Sequence, residues 1–368
     1  MKVLLLPFAI LSLVVGLLTG LVRLGWAIPV TEAAGQHGAL MVGSFLGTLI
    51  ALERAVVFKN RWALLAPGIN ALSLPAFLLG QPLVAQGLLL MGSLGMVVMT
   101  YLFMTRYTEK YYYLLFGGSI CLVIGHVLLL QTHFYPIAVP WWIAFLLLTI
   151  TAERLELSRF LPVKPWQRNG LWGAVGLFLV GVMQPFHGVG QPLTGAGMLA
   201  IAAWLLRFDM AFKSIRKAGQ PRYSGTLLII GYGWLLVSGG LFLISSQHPL
   251  WYDAALHSFF LGFVFSMIFA HAPIILPGVM GRSGVLYHRS LYIWSVLSSV
   301  ALGLRLAGAW LEWPQLRSVS GLLQSIVIIL FFITILLRLW RTRLPSVKPR
   351  TGVPAANVPA FTERVSRT

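Results

Sequence analysis

The sequence predicts an all-α polytopic membrane protein of about twelve transmembrane helices, and three observations carry that fold class. Its 368 residues are 58% hydrophobic and only 10% charged, where a soluble domain carries about 25% charged residues. Apolar runs of roughly 20 residues, the length that a bilayer demands, recur from end to end. The loops between them are alternately basic and free of Lys and Arg, which is the imprint of a chain threaded back and forth across a membrane.

The runs follow one another closely. The first, from Val3, follows Met1-Lys2 and could mimic a signal peptide, but it is long, lacks a small-x-small cleavage site and reaches Arg23, so it reads as helix one. Helix two opens at His37 in "HGALMVGSFLG", helix three at Trp62 and helix four at Leu83. Helix five begins near Tyr112 and helix six near Tyr135. Helices seven and eight begin near Gly170 and Gly190; like helix three they are interrupted by Gly and Pro. Helix nine starts at Ser224, helix ten at Asp253, helix eleven at Leu286 and helix twelve at Leu316.

Loop charge tests the count. Loops after even-numbered helices read "FKNRW", "TRYTEK", "ERLELSRFLPVKPWQR", "RFDMAFKSIRKAGQPR" and "GRSGVLYHR", and "RLWRTRLPSVKPR" follows helix twelve. Loops after odd-numbered helices, such as "AIPVTEAAGQ", "QTHFY" and "SQHPLWYD", hold no Lys or Arg. By the positive-inside rule both termini are cytoplasmic, in a bacterial-type inner membrane. Residues 1–340 form the twelve-helix domain; residues 341–368 are a basic tail rich in Pro, Ser and Thr that reads as disordered and cytoplasmic. The net charge of +18 follows this topology and forms no phosphate-binding stripe, so the expected partner is the lipid bilayer and not nucleic acid. The lone cysteine, Cys121, rules out an internal disulfide, a CxxCH haem attachment and a thiolate zinc cluster.

Topology gives each histidine a depth. His37, His126 and His257 sit in apolar helices toward the outer face, with His133, His187 and His248 in outer loops or helix ends; only His271 and His288 lie toward the cytoplasm. One helix-embedded histidine is ordinarily a hydrogen-bonded packing residue. Three at one depth, in a chain poor in ionisable groups, point to function, and neutral imidazole is a preferred axial ligand of haem iron. Haem b is therefore the expected cofactor, with His37, His257 and His126 as candidate ligands. Gly38, Gly43, Ser44, Gly47, Ser258 and Gly262 would admit a porphyrin, or simply let helices pack closely. Arg305, late in helix eleven, reaches the same depth as a partner for a haem propionate, or for Asp253 or Glu312; Arg23 lies near the outer end of helix one.

His257 and His271 are fourteen residues apart, about 21 Å along an α-helix and on roughly one face, a spacing that holds two stacked haems in transmembrane b-type cytochromes. The outer level offers a second ligand; the inner level offers only His288. His271 is also followed by Ala-Pro, which predicts a helix end there. It is a candidate metal ligand, or a structural or proton-handling residue. "TLIALERAV" and "LTITAERLEL" place Glu53-Arg54 and Glu153-Arg154 at the cytoplasmic ends of helices two and six, as interfacial ion pairs or as a proton entry.

Helix two beginning "HGALM" resembles the second helix of subunit I of the haem-copper oxidases, where an outer histidine ligates a low-spin haem opposite a histidine of helix ten. The stretch "HSFFLGFVFSMIFAHAPIILPGVMGR", with His257, Gly262, Met267 and Gly281-Arg282, looks closer to the NnrS family of twelve-helix haem- and copper-containing membrane proteins of the nitric oxide response. The resemblance implies a subunit I-like bundle, haem near the outer face between helices two and ten, and nitric oxide as a gaseous ligand. It departs from the pattern in two ways. Helix two has His37 alone, where the family usually opens with H-x-H-E-M, and helix six has no histidine while helix ten has no H-x-H. The oxidase binuclear centre thus cannot be built at its usual positions; copper would need another outer cluster, such as His126, His133 and His187. No constellation identifies a nucleophile or a general acid/base pair. The expected function is an NnrS-like membrane haem protein, binding or detoxifying nitric oxide or passing electrons with a redox partner. The alternative is a small-solute transporter or channel without haem, favoured by the interrupted helices and sparse buried charges.

Overall fold

The computed structural model describes residues 2–58, 61–158, 161–244, 248, 250–280, 282 and 284–341, with the side chains of residues 2–4, 31, 32 and 187 excepted. Gly281 and the expected tail beyond Arg341 lie outside the described residues. Helices form at all twelve expected places: α1 (Lys2–Arg23), α2 (Ala39–Phe58), α3 (Leu65–Leu78), α4 (Pro82–Arg106), α5 (Tyr111–Thr132), α6 (Tyr135–Leu157), α7 (Pro165–Met183), α8 (Gln191–Phe208), α9 (Gln220–Leu243), α10 (Trp251–Val279), α11 (Leu291–Trp310) and α12 (Pro314–Arg341).

Ten of these, among the described residues, are long and apolar enough to cross a membrane, as a polytopic helical membrane protein requires. The exceptions are α3 and α7. Helix α3 has 14 residues and carries Pro75, too short for a hydrocarbon core about 30 Å thick at 1.5 Å per residue. Helix α7 has 19 residues, and its opening "PWQRNG" is polar. The starts that differ most from expectation are those of α7, at Pro165 instead of Gly170, because proline suits the first helical turn, and of α11, at Leu291 instead of Leu286; α9 begins at Gln220 instead of Ser224 and α3 at Leu65 instead of Trp62.

The predicted break after His271 does not occur. Helix α10 continues through Pro273 and Pro277 to Val279. Pro277 has no N–H to give the Pro273 carbonyl one turn earlier, and the Leu286 N–H, folding back from beyond the helix, takes that carbonyl at 2.9 Å. The orphaned acceptor is satisfied, so the helix survives its prolines.

Chain neighbours pack as hairpins: α3 with α4, α4 with α5, α5 with α6, α7 with α8, α8 with α9, and α11 with α12. Between α8 and α9 the backbones nearly touch, since a Cβ on Gly195 would lie 2.6 Å from the Gly239 carbonyl oxygen; glycine is what permits that approach. Helices α6, α2 and α10 are the most buried spans, at 78%, 67% and 61%, and they form the centre. There Phe45 of α2 meets Phe265 of α10 with ring centres 6.3 Å apart. Helix α1 touches both α2 and α12, so the first and last spans are neighbours. Alternation leaves one end of the bundle rich in histidine and the other, the basic end, rich in Lys and Arg.

Two of the three central helices are not α-helical throughout. Residues Ala39–Gly47 of α2 and Ser258–Val264 of α10 wind as π-helix, a rare form concentrated at functional sites. Each stretch follows a histidine, His37 or His257. A third short π segment, Phe186–Gly190, precedes α8 and contains His187.

Candidate functional site

His37 stands where the turn Thr31–Gln36 runs into α2. Its Nδ1 lies 2.8 Å from the Gly16 carbonyl oxygen of α1. A carbonyl only accepts, so the proton is on Nδ1 and Nε2 carries the lone pair. The Thr19 hydroxyl donates to the same carbonyl at 2.8 Å. The ring lies so close to α1 that a Cβ on Gly20 would be 2.9 Å from its Cε1. One nitrogen of the imidazole is thus pinned, and the other carries the lone pair.

His257 repeats the arrangement. Its Nδ1–H donates to the Asp253 carbonyl at 2.8 Å, and the Asp253 carboxylate lies 3.1 Å from the same nitrogen. Asp253 also accepts from Arg305 at 3.2 Å and Arg317 at 3.1 Å. Of the partners the sequence offered Arg305, the structure selects Asp253. Glu312 is exposed and lies 3.7 Å from His248 instead. Arg305 Nη2 also stands 3.3 Å from His257 Nε2. One carboxylate thus faces two guanidiniums, and the Nε atoms of both Arg305 and Arg317 are buried without a hydrogen-bond partner. This end of the bundle holds an excess of buried positive charge.

Among the described side chains, the other histidines do not join this pair. His126, 1% exposed in α5, meets Trp142 edge-on with ring centres 5.8 Å apart, and its one polar neighbour among the described residues is the Leu89 backbone, at less than full hydrogen-bond geometry. Trp142 itself lies over Gly125 and against Gly38, so an indole stands between His126 and the start of α2. His133 ends α5 in a left-handed conformation, φ 53°, and the side chain of His187 is outside the described residues. Among the described residues no group of three or more His, Cys, Asp or Glu converges as a metal site.

His271 belongs to a different network at the basic end. Its Nδ1–H donates to the Met267 carbonyl at 2.6 Å and its Nε2 accepts from Arg154 at 2.9 Å. Both nitrogens are engaged within the protein, so a metal at His271 would have to displace Arg154. The seven π-wound residues between His257 and His271 also remove the α-helical register on which the one-face spacing rested. Arg154 donates to Asp209 at 3.3 Å, and that carboxylate also accepts from Ser158, Tyr232 and the Ala211 N–H. Next to it Arg54 of α2 pairs with Glu153 of α6. The two Glu-Arg dipeptides are thus cross-linked between helices, Arg54 to Glu153.

Sequence reasoning missed Asp209, Arg317 and Gly20. A lone acid in the basic loop "RFDMAFKSIRKAGQPR" was a readable signal for the first. Gly20 had none, because its role depends on which helix meets His37. No curated protein matches the sequence. Residues 2–340 match a family described as a domain of unknown function, DUF8744, and the chain belongs to that family.

Proposed function

We propose that the protein is an NnrS-like membrane haem protein that holds haem b at the histidine-rich end, between α2 and α10, through His37 and His257. In this reading α3, lengthened by the preceding turn Arg61–Leu64, and α7 enter the membrane beside the ten longer spans to complete a subunit I-like bundle, with both termini on the cytoplasmic side of a bacterial-type inner membrane. The observation that carries it is the matched state of the two rings. Each has Nδ1 tied to a carbonyl, which leaves the lone pair on Nε2, open in His37 and facing the Arg305 guanidinium in His257, and each opens a π-helical stretch. A donor bond from Nδ1 to a carbonyl or carboxylate is how ligating histidines are oriented and made more basic. Buried Nε–H groups on Arg305 and Arg317 add a cationic surface suited to propionates.

Haem would supply an iron able to bind a gas such as nitric oxide. The chain's own residues set the terms. The Gly16 carbonyl keeps His37 in its Nδ1–H tautomer. Asp253 does the same for His257 and holds Arg305 beside its Nε2, so His257 would hold a metal only by giving up that guanidinium, which would leave Arg305 to Asp253 or to an anionic group. The test is the visible spectrum of the detergent-purified, dithionite-reduced protein before and after nitric oxide. A Soret band that shifts on addition supports the reading; a colourless, iron-free protein rejects it.

A further inference from the structure

We infer that a cavity at the basic end, bounded by α1, α2, α6, α10 and α12, binds a small organic ammonium ion carried on an apolar body. The cavity measures about 110 Å³, and its wall is apolar except for Glu53, Thr149, Glu153 and His271. An engineered apolar cavity of about 150 Å³ holds benzene, so this one takes a short alkyl chain or a compact ring.

The polar groups decide what else the ligand carries. His271 has no free nitrogen. One oxygen of Glu153 is taken by Arg54. Thr149 is 1% exposed and its hydroxyl has no partner. Glu53 makes no ion pair or hydrogen bond among the described residues. Among the described residues Asp209 is balanced by Arg154, while Arg54 pairs with Glu153 and acts on Glu53 only second, so two carboxylates share one guanidinium. The free groups are carboxylate oxygens, which only accept, and the Thr149 hydroxyl, which can also accept, and the surplus charge is negative. An anion is repelled, and a neutral apolar guest would strip water from Glu53 without replacing it, which is costly. A cation with N–H donors satisfies both demands.

The site lies at the opposite end from His37 and His257, so its occupancy is independent of haem. The test is calorimetric titration of the full-length, detergent-purified protein with n-butylammonium, n-butanol, butyrate and hydroquinone. The ammonium should bind at least tenfold more tightly than the isosteric alcohol, and butyrate should not bind. Glu53→Gln should erase the preference for ammonium over alcohol. Ile268→Trp, which fills the cavity from α10, should abolish binding of both. The inference is overturned if ammonium and alcohol bind alike, if nothing binds, if hydroquinone is preferred, or if Glu53→Gln leaves the ammonium affinity unchanged. The discrimination between ammonium and alcohol in the unmutated protein stands even where a variant fails to fold.

Discussion

Replacing Asp209 by Asn removes one charge and almost no volume, yet it should cost more stability than nearly any other isosteric change in the chain. The Asp209 side chain is 0% exposed and that of Arg154 is 3% exposed. The carboxylate accepts from Arg154 at 3.3 Å, Ser158 at 2.8 Å, Tyr232 at 3.0 Å and the Ala211 N–H at 3.0 Å. An amide cannot balance the guanidinium, and its NH2 must face groups that are themselves donors. Removing one partner of a buried ion pair costs about 3–5 kcal/mol. At about 2 °C per kcal/mol for a chain of this size or smaller, the midpoint should fall by roughly 6–10 °C. Cys121, 5% exposed in α5, supplies the assay, since a thiol-reactive fluorophore labels it only as the bundle opens. Adding Arg154→Gln should recover part of the loss, because the orphaned charge goes with it. A drop below about 1 kcal/mol, or a double variant worse than the sum of the singles, would refute the view that Arg154 depends on Asp209.

Other outcomes follow from the same contacts. Gly20→Ala places a Cβ 2.9 Å from His37 Cε1 and should displace the ring, reducing haem content at unchanged expression; equal haem content would show that the ring's position is unimportant. Arg54→Ala strands Glu153, so a double-mutant cycle with Glu153→Gln should give a coupling of about 1–3 kcal/mol, read from the Cys121 unfolding midpoint.

Much of the fold was legible because hydrocarbon thickness fixes the length of an apolar run, and loop charge independently checks how many runs there are. The limits of that reading are specific. Hydropathy located α3 and α7 but could not say that α3 stops after 14 residues. The prolines after His271 looked like a terminus because the rescue of the Pro273 carbonyl comes from Leu286, thirteen residues on and folded back. The π-wound stretches depend on which carbonyl each N–H chooses, and side-chain pattern does not encode that choice. Within the candidate site, the depths of His37 and His257 and the nearness of Asp253 to Arg305 were readable from topology. The partner of His271 was not, since Arg154 reaches it from α6, a neighbour that no local spacing reveals. Arg317 was overlooked because it sits at the mouth of α12, in a stretch that reads as the start of an ordinary span.

The assignment of His37 and His257 as the residues that hold haem is tested most directly by comparing Soret absorbance per mole of protein across four single variants. His37→Ala and His257→Ala should lose the band or convert it to a different ligation state. His126→Ala, with its ring behind Trp142, and His271→Ala, with both nitrogens occupied, should keep it. A band that survives both of the first two changes, or that disappears only with His126, would contradict the assignment.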